Sequence, residues 1–366
     1  MSVNVPYCPE HASMARQLVQ EMEKNGGLAP LDIEQFWRDQ DACELNPFGA
    51  DIVQVPFGGI LNHECVYDEL GVGVDFWRYD HDEDWRLDLN RRYNDQAEKI
   101  VGRRLLSEER QDPSLKYPAV KALHDVFEAE QIWHEESWWL KPSANTPQEL
   151  EALLDRVEAR DIRSFILPEN WEEEKARLMA LGVKPRLYRG QRGPVTFGTS
   201  IYGSENLIFL IMENPALAAR FSQVILKTML EIGRVLDEET GYTPETAPHG
   251  FRFFDDNCTL MTPDMYQLFG YPIIKGIFER YCPNKEDSRY QHSDSAMGHL
   301  LPQLGELGIN QTNFGPTVMV TEIREHLPHA VIYGELAPFT YSRNEHENIV
   351  LEFLRDFEMV RETRGL

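Results

Sequence analysis

Long apolar runs are missing from this chain. No stretch approaches the roughly 20 apolar residues that a membrane-spanning helix needs, and the opening M-S-V-N-V-P-Y-C-P-E-H has no basic-then-apolar run of the signal type. Basic residues are scarce too: 36 Lys and Arg stand against 61 Asp and Glu, a formal charge of −25. Nucleic acid and anionic membrane surfaces both demand a basic face, so neither is expected as a partner. Cysteine is limited to five residues, Cys8, Cys43, Cys65, Cys258 and Cys282, with no C-x-x-C pair. That excludes a thiolate zinc ribbon and suits a reducing compartment, so a cytoplasmic protein is expected.

The 366 residues suffice for one large α/β domain or two ordinary ones, and the first is preferred. Residues 1–50 read as a helical N-terminal extension, with His11 to Lys24 amphipathic, and residues 51–366 as the main domain. D-I-V-Q-V-P-F at Asp51 to Phe57 reads as a strand. Arg91 to about Arg160 reads as helical, interrupted by the tryptophan-rich stretch Ile132 to Pro142, which fits an aromatic core plug better than a substrate lid. Further strands are predicted at Ile162 to Leu167, Pro194 to Thr199, Gly250 to Asp255, Arg289 to His292, Ile309 to Phe314 and Val331 to Gly334. Helices are predicted at Pro215 to Glu239, Pro263 to Tyr281, Ala296 to Leu307, Val320 to His326 and Glu345 to Thr363. Strands alternating with helices imply parallel pairing, and the most economical architecture at this length is a (β/α)8 barrel. About seven strands are found where closure needs eight. Either one more lies in the first 160 residues or the final βα unit is absent.

The most informative segment is R-Y-Q-H-S-D-S at Arg289 to Ser295. Alternate residues of a strand share a face, so His292 and Asp294 point the same way. An imidazole and a carboxylate so placed can hold a divalent metal or act as a proton-transfer pair; a polar strand end capping the next helix is the bland alternative. A second segment, F-R-F-F-D-D-N-C at Phe251 to Cys258, has the same layout. In a barrel, catalytic groups sit where strands end, and Asp255, Asp256, Asn257, His292, Asp294, Asn313 and Glu335 all fall at such places.

Arginines are the side chains that grip carboxylate or phosphate by paired hydrogen bonds. Arg189 and Arg192 lie just before the expected Pro194 strand and are candidates for an anionic substrate, with ion pairs to neighbouring helices as the alternative; Tyr202 lies in the loop after that strand. Arg252 and Arg289 start strands at the far end, where ion pairs to neighbouring helices are expected. Cys258 reads as a small buried residue more readily than as a ligand or nucleophile.

Between Gly193 and Pro338 the order of motifs resembles the uroporphyrinogen decarboxylase superfamily, which includes corrinoid-linked methyltransferases. R-G-P-V-T-F-G-T-S-I-Y-G resembles that family's G-P-x-T segment, and F-F-D-D-N-C-T-L-M-T-P-D-M-Y its strand, Asp and T-P helix start. Q-H-S-D-S resembles its H-x-C-G strand, and A-V-I-Y-G-E-L-A-P its G-N-x-x-P turn. The resemblance is clearest over residues 193–338 and implies a (β/α)8 barrel. Asp294 stands where the methyltransferase branch has its first ligand cysteine, and no cysteine follows Cys282. The arginine cluster of the decarboxylase branch, R-Q-A-G-R, is absent from the N-terminal region.

His292, Asp294 and Asp256 therefore form an expected metal set, for zinc or a harder ion such as manganese or magnesium. Asp255, Asp256, His292 and Glu335 are the expected catalytic residues, and Arg189, Arg192, Tyr202, Asn257 and Asn313 the substrate-binding ones. By resemblance the reaction is transfer of a methyl group from a small methylated compound to a thiol or corrinoid acceptor. The implied partners are a small anionic or methylated substrate, a corrinoid protein and a second copy of the chain. Two rivals are kept: metal-free decarboxylation of the porphyrinogen type, with Asp255 facing a protonated pyrrole, and a barrel that binds without catalysing.

Overall fold

The computed structural model describes residues 8–58, 63–135 and 137–366. Contacts divide the chain into two compact units, Met1–Gln111 with Met319–Thr321 and Val331–Leu366, and Asp112–Val318 with Glu322–Ala330.

The first unit is mainly helical: Pro9–Lys24, Ile33–Leu45, His63–Leu70, Phe76–His81, Glu83–Val101 and His346–Val360. Part of the acidic surplus has a local role here, because Asp32, Asp75 and Asp82 each accept a backbone N–H at a helix start. An acceptor at the N-cap satisfies a donor that the helix itself leaves open. Val66, Tyr67, Tyr79 and Leu89 form the buried cluster of this unit, with Trp85 stacked on Tyr67. The expected strand Asp51 to Phe57 is irregular. Its carbonyls at Ile52 and Val53 are met by the Arg364 guanidinium at 2.9 Å, so the donors come from a side chain and no ladder forms. The two-residue strand Val331–Ile332 also lies in this unit.

The second unit opens with a hairpin, β1 (Glu130–His134) and β2 (Ser137–Lys141), in the stretch expected to interrupt the helices. Trp133 pairs with Trp138 edge-to-face at 5.1 Å, and Trp139 is 53% exposed, so this is no core plug. Four strands then form a parallel sheet: β3 (Gly190–Arg192), β4 (Phe251–Phe254), β5 (Arg289–Ser293) and β6 (Gln311–Phe314). The helix Gly270–Tyr281 packs on one face, and the helix Pro215–Glu239 packs against that helix. Phe251 and Phe253 bury there against Tyr281 and Phe278, with ring centroids 5.8 and 5.9 Å apart. Each such ring contributes about 2–3 kcal/mol by leaving water.

Alternation along the strands sets what the other face shows. Arg252 and Phe254 of β4 are exposed, and the register pairs Arg252 with Tyr290 and Phe254 with His292, while His292 pairs with Asn313 of β6. These polar and aromatic residues form the open face of the sheet.

Two expected strands are helices. Ile162–Ile166 is helical because Asp161 accepts the N–H of Ser164 at 2.8 Å and so caps the turn. Pro194–Tyr202 is helical with Pro194 in its first turn, and the strand is the short segment just before it. The expected helix Pro263 to Tyr281 breaks at Phe269 into Pro263–Leu268 and Gly270–Tyr281. Among the described residues, no helix is long and apolar enough to cross a membrane.

Candidate metal centre and active site

Four strands of the second unit end side by side, and their last residues build the site. Asp256 opens the short turn after β4, His292 lies near the end of β5, and Asp294 follows it. Nε2 of His292 is 3.4 Å from Oδ1 of Asp256 and 3.5 Å from Oδ2 of Asp294. The Asp294 backbone N–H donates to the same Asp256 oxygen at 3.0 Å, fixing one carboxylate relative to the other. One ligand atom from each of the three lies within 4.8 Å of the others, and among the described residues these form the one group of three with that property.

The imidazole is oriented from its other side. Nδ1 of His292 lies 2.5 Å from Oδ1 of Asn313, so it donates its hydrogen there. Nε2 then faces two carboxylates with a lone pair, or with a second proton as an imidazolium. A lone pair pointed at two anions is unfavourable unless a cation stands between them. One nitrogen and two oxygens within reach are the donor set that zinc, or a harder divalent ion, accepts. Side-chain exposures of 21% for His292, 50% for Asp256 and 69% for Asp294 leave solvent-side positions open.

Asp255, next to Asp256, points the opposite way. It is fully buried, and its carboxylate accepts the N–H of Thr196 at 2.7 Å and that of Val195 at 3.5 Å, capping the helix Pro194–Tyr202. Burial pushes its carboxyl up to about 6, with the helix N–H groups pulling down. Gly193 makes the approach possible: a Cβ there would meet Asp255 Cβ at 2.1 Å and its Cα at 2.7 Å.

The remaining expected residues are distributed as follows. Arg192 lies at the end of β3, where its Nη1 donates to Ser200 Oγ at 3.0 Å; burial pushes its guanidinium below the ordinary value, with Asp256 pulling upward. Asn257 turns to the helix, its Nδ2 donating to Thr199 Oγ1 at 2.7 Å. Tyr202 is buried, which raises its phenol. Arg189 is held at the start of β3 by Asp237 at 2.6 Å and by the carbonyls of Pro248 and Tyr188, over the Tyr281 ring. Glu335 is buried in the first unit. Cys258 is buried with its sulfur 3.6 Å from Ser293 Oγ, and burial pushes its thiol well up.

For Arg289 and Arg252 the expectation of ion pairs is corrected. Arg289 donates to the carbonyls of Lys285, Cys282 and Asn284. The backbone N–H of Arg252 donates to the Arg189 carbonyl, but its guanidinium, exposed on the open face, has no hydrogen-bond or ion-pair partner among the described residues. Phe254, on the same face, also lies outside the expected set; the alternation F-R-F-F paired with R-Y-Q-H carries the signal that finds both.

Residues 186–363 match the family described as uroporphyrinogen decarboxylase (URO-D). The URO-D fold is a (β/α)8 barrel, and the α/β order with parallel strands agrees with it. Among solved structures the chain is similar to a methyltransferase from Methanosarcina mazei, with 11% identity and a TM-score of 0.43, covering 80% of this chain and 90% of that one. A likeness this loose carries no weight for activity. No curated protein matches the chain. Within the matched residues, Asp256, His292, Asp294 and Asn313 are the expected residues that converge.

Proposed function

We propose that this URO-D-family chain is an enzyme of one-carbon chemistry, transferring a methyl group from a small methylated compound to a thiol or corrinoid acceptor with a divalent metal held by Asp256, His292 and Asp294. The observation that supports it is the aim of His292 Nε2 at two carboxylates, 3.4 and 3.5 Å away, while Nδ1 is engaged by Asn313. Zinc, manganese or magnesium bound there supplies Lewis acidity to the substrate. Asn313 fixes the ring, the Asp294 N–H fixes the Asp256 carboxylate, and Asp255 holds the helix on which Thr196 and Ser200 lie. Arg192, beside Asp256, balances part of the negative charge of the pair.

Decarboxylation of the porphyrinogen type needs an aspartate facing the substrate at the position of Asp255. That carboxylate is wholly buried against backbone N–H groups, which weighs against this rival.

The test is incubation of chelator-treated and zinc-reloaded protein with methylated small molecules, using 2-mercaptoethanol or reduced cobalamin as acceptor. Metal-dependent methylation of an acceptor, lost in His292→Ala, is expected. Turnover that is the same without metal and in His292→Ala would contradict the proposal.

A further inference from the structure

The open face of the sheet carries a second set of residues beside the metal centre. Register fixes their layout as two rows: Gly190, Arg252 and Tyr290 in one, and Arg192, Phe254 and His292 in the next, nearer the strand tips. Arg252 is exposed and its guanidinium has no hydrogen-bond or ion-pair partner among the described residues, in a chain with 61 acidic side chains. Its stem crosses the neighbouring strand at Gly190, where a Cβ would meet Arg252 Cγ at 2.7 Å. Phe254 is 41% exposed, with its ring 6.0 Å from Tyr290 and 5.8 Å from His292. An unpaired guanidinium is a carboxylate receptor. An exposed aromatic ring beside it offers a surface for another ring, since offset and edge contacts between rings add about 0.5–1.5 kcal/mol beyond burial.

We infer that this face binds the substrate of the reaction proposed above, and that the substrate is a small aromatic carboxylate. Its carboxylate sits on Arg252, its ring on Phe254 and Tyr290, and its reacting substituent toward His292. This rests on the metal-centre reading for the reacting end alone. The rows lie two residues apart, about 7 Å along the strand, the reach of a single ring bearing groups at opposite ends. The arrangement also orders the molecule: the anion is drawn to the row without carboxylates, away from Asp256 and Asp294.

The experiment is calorimetric titration of chelator-treated protein with 4-methoxybenzoate, 4-methoxybenzamide and 4-methoxycyclohexanecarboxylate. The aromatic acid is expected to bind at least tenfold more tightly than the other two, because the amide lacks the charge and the saturated ring lacks the face. Arg252→Met is expected to remove the preference for acid over amide, and Phe254→Ala the preference for the aromatic over the saturated ring. Equal binding of acid and amide by the unaltered protein, equal binding of both acids, or no binding of the aromatic acid overturns the inference, and none of these needs a variant. Metal content of the same samples before chelation is read separately. A protein that binds the acid but never holds metal leaves this inference standing and sinks the metal centre.

Discussion

Asn313 Oδ1 lies 2.5 Å from His292 Nδ1, and this contact decides which nitrogen of the imidazole is offered to the two aspartates. Removing it leaves the ligands in place but frees the ring. Asn313→Ala is therefore expected to weaken divalent-metal affinity about 10–100-fold, the usual cost of losing a partner that orients a ligand. Competition with a metal-sensitive dye measures it. Unchanged affinity would show that Asn313 does not orient the ring.

Asp255 couples pH to stability. Its carboxyl is raised from 3.8 to about 6, so between those values the folded state holds a proton that the unfolded chain has released. Stability is then greatest below about pH 4 and falls as pH rises to about 6, by on the order of 3 kcal/mol from this group. Asp356, which burial also raises to about 6, titrates in the same window. Denaturant unfolding of Asp255→Asn against the unaltered protein isolates the share of Asp255: the stability difference should slope between about pH 4 and 6. Parallel curves would contradict the assignment.

Gly193→Ala tests the close approach beneath the site. A methyl 2.1 Å from Asp255 Cβ must displace backbone, and a loss of about 3 kcal/mol is expected, seen as a lower Tm. A Tm within a degree of the unaltered protein would contradict it.

Thiol labelling tests whether Cys258 is inert. Cys8 and Cys65 are exposed, whereas Cys43, Cys258 and Cys282 are buried and burial raises their thiols. Native protein should be labelled at Cys8 and Cys65 alone, and at the other three after denaturation. Rapid native labelling of Cys258 would reopen its role as a nucleophile.

Much of the centre is legible in the sequence because strands impose a period of two. R-Y-Q-H-S-D-S and F-R-F-F-D-D-N-C place polar groups at strand ends, and His292, Asp294 and Asp256 do meet. Asp255 and Asp256 cannot be told apart that way: adjacent residues face opposite sides, and which side is the site depends on where the helices pack. The segment Pro194 to Thr199 misleads for a related reason. Val, Thr and Phe favour strands, and no local Ser, Thr or Asp caps the helix, since its cap is Asp255, 60 positions beyond Val195. The alternation F-R-F-F makes the face of Arg252 legible, but not its lack of an acidic partner, the less expected outcome in a chain so rich in carboxylates. Arg364 is illegible too, because it meets Ile52 and Val53 from the far end of the chain.

The central claim is tested most directly by elemental analysis of protein purified without chelators, beside His292→Ala and Asp294→Ala. The account predicts near one equivalent of a divalent metal per chain, lost in both variants. Absence of metal from the unaltered protein, or its retention in both variants, would contradict it.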